Sequence, residues 1–235
     1  ITSQLVSRTP DDLQALRDLS ISYERLGDLC NAEGSRTEAR EYYEKDLEIA
    51  KTLVSRTPDN LQALRDLSLS YYNLGDLCNA EGSRTEAREY FEKSLEIAKN
   101  LVSRTPDDLQ ALRDLSVSYN KLGDLCKAEG SRTEAREYFE KSLEIAKNLV
   151  SRTPDDLQAL RDLSVSYNKL GNLCNAEGSR TEAREYYEKS LEIAKKLVSR
   201  TPDDLLALRN LSISYNNLGN LCNAEGSRTE AREYY

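Results

Sequence analysis

Thr105-Pro106-Asp107-Asp108-Leu109 opens a stretch that runs to Arg152 and then begins again, as Thr153-Pro154-Asp155-Asp156-Leu157, to end at Arg200. The two 48-residue stretches differ at four positions: Asp124/Asn172, Lys127/Asn175, Phe139/Tyr187 and Asn148/Lys196. Thr-Pro pairs begin at 9, 57, 105, 153 and 201, so the same step of 48 fits the whole chain. A fixed period of this length marks a solenoid, in which each unit buries its apolar face by stacking on a neighbour. The expected division is 9–56, 57–104, 105–152, 153–200 and a shortened 201–235. Residues 1–8 form the end of a partial unit, with Ile1 aligned to Ile49.

Each unit reads as two helices. Thr9-Pro10-Asp11-Asp12 is a start signal, with Thr9 as N-cap, Pro in the first turn and a carboxylate three residues on. The first helix should end near Glu33, where Gly34 can adopt the left-handed capping conformation. Ser35 then caps a second helix, which should reach about Ser55 before Pro58 blocks it. Leu16, Leu19, Tyr23, Leu26 and Cys30, spaced 3-4-3-4, form the packing seam of the first helix. Ala39, Tyr43, Leu47, Ala50 and Val54 answer it from the second. Gly27 recurs in every unit although it costs about 1 kcal/mol of helix propensity, which predicts a close helix–helix approach.

Composition narrows the function. The chain has 41 acidic and 33 basic residues, a net charge of −8 with the signs interspersed. That pattern gives a solvated helical surface and a poor match to a nucleic-acid backbone. No apolar run is long enough to span a membrane, and no signal peptide opens the chain. The start at Ile1 and the absence of Met suggest a piece of something longer. The five Cys, one per unit at 30, 78, 126, 174 and 222, are too widely spaced for a zinc site or disulfide framework. They read as small buried apolar groups, and free thiols suit a reducing, cytoplasmic compartment. With no His, no Gly-rich phosphate loop and no converging carboxylate pair, no catalytic residue, metal or cofactor is expected.

Tyr23-x2-Leu26-Gly27-x2-Cys30 followed by Ala39-x3-Tyr43 resembles the tetratricopeptide repeat pattern, and does so in all five units. Cys stands where the family has Tyr, the closing Pro is missing, and the unit is lengthened. Such lengthened units resemble those of kinesin light chains and of repeat arrays in large bacterial signalling proteins. The resemblance implies an all-α, right-handed superhelical solenoid of antiparallel helix hairpins. It also implies that a second stripe of the first helix lines a concave groove that binds peptides. That stripe is Gln14, Arg17, Ile21, Glu24, Asp28 and Asn31.

Differences among the copies point to the same stripe. Eight columns of the first helix vary (12, 14, 18, 21, 24, 25, 28 and 31), and five of the eight lie on it. The seam does not vary, and the second helix varies at three columns only. The candidate partner-binding residues are therefore four rows. Arg17, Arg65, Arg113, Arg161 and Arg209 form the first; Glu24, Tyr72, Asn120, Asn168 and Asn216 the second. Asp28, Asp76, Asp124, Asn172 and Asn220 form the third; Asn31, Asn79, Lys127, Asn175 and Asn223 the fourth. Amides can hold a peptide backbone, and an Arg row suits a segment with spaced acidic residues. The competing reading of that row is that each Arg pairs with an acid of a neighbouring helix. The family's clamp for chaperone tails is incomplete, since Asn168 and Asn172 lack Lys partners in register.

Two functions follow: a scaffold holding a protein or peptide segment, or a passive, possibly self-assembling or engineered spacer rod. The incomplete units at each end predict fraying or end-to-end docking.

Overall fold

The computed structural model describes residues 4, 9 and 11–235. Among these residues there are ten α-helices and no strand. They are α1 (Leu13–Ala32), α2 (Arg36–Arg56), α3 (Leu61–Ala80), α4 (Arg84–Arg104), α5 (Leu109–Glu129), α6 (Arg132–Arg152), α7 (Leu157–Glu177), α8 (Arg180–Arg200), α9 (Leu205–Ala224) and α10 (Arg228–Tyr234). The fold is all-α, of the helix-hairpin solenoid type. By its internal contacts the chain divides into two compact units, residues 1–125 and 126–235. The expected partial helix at 1–8 lies outside the described residues, Gln4 apart.

The turns correct two of the expected caps. Thr57 closes α2 rather than opening α3: its N–H and its hydroxyl both donate to the Leu53 carbonyl. Thr-Pro-Asp-Asn is then a tight turn, with the Asn60 N–H returning to the Thr57 carbonyl at 3.0 Å. The fourth residue caps the next helix, its side-chain oxygen accepting from two backbone N–H groups. Asp12 does so for α1, Asn60 for α3, Asp108 for α5 and Asp204 for α9. A short carboxylate or amide reaches those orphan donors, whereas Thr at this place is already turned back onto the preceding helix. Ser35 and its copies stand at the N-cap of the second helices but make no side-chain capping bond. What fixes that corner is the glycine. Gly34 has φ +83°, the Ser35 N–H donates to the Cys30 carbonyl and the Gly34 N–H to that of Asn31. This is the two-bond left-handed closure of a helix end, and Gly82, Gly130, Gly178 and Gly226 repeat it.

In the first unit α1 packs on α2, α3 on α4, and α2 also packs on α3. α2 is thus sandwiched between its own first helix and the first helix of the following hairpin, and so is α8 between α7 and α9. Ala39, Tyr43, Leu47 and Ala50 of α2 meet Leu67, Leu74 and Leu77 of α3 in one core. In the second unit Ala135, Phe139, Leu143 and Ala146 of α6 meet Leu163, Leu170 and Leu173 of α7, and α8 meets α9 likewise. The seams therefore pack as expected, with Leu53 and Leu29 columns added. Leu29 is outside the 3-4-3-4 seam, yet its copies Leu77, Leu125, Leu173 and Leu221 are all buried. Leu26 and Leu29 themselves are 39% and 54% exposed, so these two columns are covered by the hairpin that precedes them.

The recurring glycine carries the close approach. A Cβ on Gly27 would lie 2.5 Å from Tyr43 Cε1; on Gly171, 2.5 Å from Tyr187 Cε1; on Gly75, 2.7 Å from the Phe91 ring. The space is filled by the aromatic side chain of the second helix, whose ring sits against the glycine of the first. At the C-terminal end α10 is docked on α9: Ala231 is buried, and the Tyr235 hydroxyl donates to Asn220 Oδ1 at 2.7 Å.

An arginine joins three of the second helices, α2, α6 and α8, to the next hairpin. Arg40 donates to Glu81 at 2.5 Å and Glu86 at 2.9 Å, with Cys78 Sγ at 3.2 Å. Arg136 and Arg184 repeat the clamp on Glu177/Glu182 and Glu225/Glu230. All five Cys are free and buried. Burial pushes the Cys78 and Cys174 thiols up to about 11, which leaves them unreactive.

Candidate interaction surface

The four candidate rows fall on one face of α1, α3, α5, α7 and α9, but the structure sorts them into engaged and open groups. The arginine row is engaged. Arg17 Nε donates to Asp66 at 2.6 Å, Arg65 bonds to Asp108 with Asp114 beside it, and Arg161 bonds to Asp204. Arg113 is also engaged, while Arg209 is exposed. Gln side chains one turn back orient the acids: Gln62 donates to Asp66, Gln110 to Asp114 and Gln158 to Asp162, each at 2.8 Å. For Arg17, Arg65 and Arg161 these are bonds between neighbouring hairpins, the competing reading weighed from the sequence. They leave these guanidiniums little freedom to seek a partner's carboxylate.

The row beginning at Asp28 is engaged in a second way. Where the seated ring is Tyr, its hydroxyl donates across: Tyr43 to Asp28, Tyr187 to Asn172 and Tyr235 to Asn220, each at 2.7 Å. Burial pushes the Tyr187 phenol up to about 12, so it stays a donor. Where the ring is Phe91, Asp76 instead accepts from Lys121 of α5 at 2.5 Å. In the second unit Lys169 stands over the ring of Phe139 at 5.7 Å.

The row beginning at Glu24 is mixed. Burial and the neighbouring carboxylates of Asp46 and Asp28 raise the Glu24 carboxyl above its ordinary range. Tyr72 carries the Lys121 ammonium 4.9 Å from its ring centroid. Asn168 accepts from Asn217 at 3.1 Å, Asn120 is half-buried and Asn216 exposed. The last row is open: Asn31, Asn79, Lys127, Asn175 and Asn223 are all exposed.

The open apolar surface belongs to a column absent from the four rows. Leu69, Val117, Val165 and Ile213 are 42%, 44%, 40% and 41% exposed, and Ile21 is half-buried. Ile21, Leu69 and Val117 in residues 1–125, and Val165 and Ile213 in residues 126–235, form an aliphatic strip in each unit, one residue per hairpin. The signal was present in the sequence, because Ile, Leu or Val recurs at one position of an otherwise polar stripe. Within residues 1–125 this strip opens into a cavity of about 280 Å³, lined by Leu69, Tyr72, Val117, Arg65, Asp66 and Asp114 among others. Among the described residues no group of three His, Cys, Asp or Glu is placed to hold a metal ion, and no helix is long and apolar enough to cross a membrane.

Profiles described as tetratricopeptide repeat match residues 66–147 and 162–235, and a further one matches 21–52. The chain belongs to the tetratricopeptide repeat family. Proteins of this family are in general scaffolds for protein interaction. No curated protein matches the chain. Among solved structures, BtubC (BKLC) from P. vanneervenii superposes with a TM-score of 0.74 at 21% identity, covering 99% of this chain and 82% of that one. The apo form of RapI gives 0.63 at 14%, covering 99% and 85%. A putative kinesin light chain from Podosopora anserina, described as having nearly identical TPR-like repeats, gives 0.50 at 27%, covering 95% and 93%. These likenesses support the fold, and the last matches the kinesin-light-chain resemblance read from the motif.

Proposed function

We propose that the chain holds a segment of a partner protein on the open faces of its first helices, and that it is not an enzyme. The observation that carries this is the exposed aliphatic residues of each unit, Leu69 and Val117 in one and Val165 and Ile213 in the other, on first helices that also expose the amides of the Asn31 row. Aliphatic side chains recurring in open positions of an otherwise polar stripe supply contact area; the amides satisfy a bound backbone. The residues proposed from the sequence then divide in function. The Arg17 and Asp28 rows position the helices, and the Glu24 and Asn31 rows, with the aliphatic strip, meet the partner. An acidic partner loses its chief support with the arginines engaged.

The test is capture of partners from a lysate by immobilised chain, compared with a variant carrying Val117→Glu and Val165→Glu. A partner retained by the parent and lost by the variant, but kept by an outer-face variant such as Glu41→Ala, supports the reading. Retention by all three refutes it. The rival reading, a spacer rod without ligand, draws on the near-identity of the 105–152 and 153–200 copies, because like sites discriminate poorly between ligands. It predicts no specific partner for the parent.

A further inference from the structure

Within residues 1–125 the geometry points to a two-part recognition site for one chemistry: an apolar side chain with a lysine or arginine close to it in the partner segment. This rests on the first-helix face being the binding face and specifies what it reads there. Two cavities meet on that face and share Asp66 and Leu69. The larger, about 280 Å³, lies between α3 and α5, with Leu69, Val117 and Tyr72 as its apolar wall. Tyr72 is the single aromatic in its column, and Lys121, itself bonded to Asp76, lies over its ring. The ring is thereby held in place as one wall of a slot that an aliphatic or aromatic side chain can fill.

The smaller cavity, about 20 Å³, lies between α1 and α3 and is lined by Ser20, Glu24 and Asp46 as well as the shared pair. It is too small for a side chain, so the carboxylates act through the potential at its mouth. Asp46 is 4% exposed and held by Ser20; Asp66 is bonded to Arg17; Arg25, which acts on Glu24, is exposed. Burial and the nearby carboxylates of Asp28 and Asp66 raise both Glu24 and Asp46, and Asp46 adds to the effect on Glu24. A cation brought by a partner relieves that repulsion, and a carboxylate adds to it. Glu24 and Tyr72 occupy equivalent places on neighbouring first helices. At a helix spacing of about 10 Å, an extended segment covers the interval in about three residues. The expected signature is therefore an apolar residue with Lys or Arg about three positions away.

A displayed random-peptide library selected on the 235-residue chain, with enriched peptides resynthesised and measured by fluorescence anisotropy, tests this. The expected result is enrichment of the apolar-plus-basic signature, with binding weakened by salt. Leu69→Gln with Tyr72→Asn, the latter the residue that α5 carries, should weaken those peptides about tenfold. Glu24→Asn with Asp46→Ser, both residues found in other copies, should remove the preference for the basic residue while leaving the apolar one. Far-UV circular dichroism spectra that match the parent's, with a cooperative melt, show that each variant is folded. Enriched peptides that pair the apolar residue with acids, or that ignore both variants yet are lost with Val165→Gln, overturn this site and leave the first-helix reading standing. No enrichment over empty support, or binding that survives all these substitutions, overturns the first-helix reading and this site with it.

Discussion

Replacing Gly171 by Ala sets two opposed effects against each other, and the structure decides between them. In an exposed helix the change would stabilise by about 1 kcal/mol through backbone propensity. Here the new Cβ would lie 2.5 and 2.6 Å from two carbons of the Tyr187 ring. Ordinary carbon contacts lie at about 3.5–4.0 Å, so the ring must retreat by about 1 Å. It has nowhere to go: Tyr187 is 2% exposed, and its hydroxyl is bonded to Asn172 at 2.7 Å. Overpacking of this kind costs about 1–3 kcal/mol, and a broken hydroxyl bond adds about 1 kcal/mol. After the propensity gain the net loss is about 1–3 kcal/mol. Gly75→Ala is the internal control, since Phe91 presses on it at 2.7 Å but has no hydroxyl to lose. It should cost less than Gly171→Ala by about 1 kcal/mol. Urea midpoints followed by far-UV circular dichroism resolve this: with a slope of about 1–3 kcal/mol per molar, a loss of that size moves the midpoint by tenths of a molar or more. A Gly171→Ala protein as stable as its parent would falsify the seated-ring account, and so would a larger loss for Gly75→Ala.

Asp46 is the one carboxylate among the Ser94, Ser142 and Ser190 column, and burial raises it above the ordinary Asp range. Its charged form is penalised only in the folded state, so the parent loses stability as pH rises from the ordinary Asp value through the raised one. Asp46→Ser should be more stable near neutral pH, by on the order of 1 kcal/mol, with the advantage shrinking on acidification; an advantage that grows in acid contradicts this. Arg136→Ala should cost about 1 kcal/mol, less in high salt. Arg136 holds Glu182 below the ordinary Glu range, so that contribution is present above the ordinary value and fades as pH falls through the lowered one. Melting curves of parent and variant should converge at low pH, and a constant gap argues against the clamp. Lys121→Asn should destabilise the parent by about 0.5 kcal/mol by leaving Asp76 without its donor, and should cost less in a Phe91→Tyr background that supplies a hydroxyl. Additive costs in that double-mutant cycle would show that the two donors do not substitute for each other.

The hairpins and their seams were legible because both follow from local rules: a period of 48, a 3-4-3-4 spacing, and a Gly that only a left-handed turn requires. What was misread came from motifs that satisfy two rules at once. Thr-Pro-Asp-Asp fits an N-cap at its first residue and a turn followed by an N-cap at its fourth. The second arrangement wins because Thr57 can bond backward to Leu53 while Asn60 bonds forward to two N–H groups. Ser35 fits a cap by type, yet the left-handed glycine before it already shapes the corner. The Leu29 column was overlooked because nothing inside one hairpin buries it; only the packing of the preceding hairpin onto α3, α5, α7 and α9 does.

The variable columns need the same separation, because drift among copies was the argument for a binding face. Column 28 changes from Asp to Asn, column 25 among Arg, Asn and Lys, and column 43 between Tyr and Phe. In the structure these three belong to one arrangement. An acceptor at 28 takes a proton donor either from the Tyr of its own hairpin, as Asp28 does, or from the Lys of the next, as Asp76 does. Tyr43 is followed by Asn73 and Tyr187 by Asn217, whereas Phe91 is followed by Lys121 and Phe139 by Lys169. Variation there exchanges one donor to the acceptor for another, so it says little about ligands. Columns 21, 24 and 31 vary without such compensation, on the part of the face that is open or half-open. The evidence for a partner therefore shrinks to fewer columns and becomes more specific, since those that remain differ from hairpin to hairpin in the properties a partner could read: side-chain volume at Leu69 and Val117, charge at Glu24, and aromaticity at Tyr72.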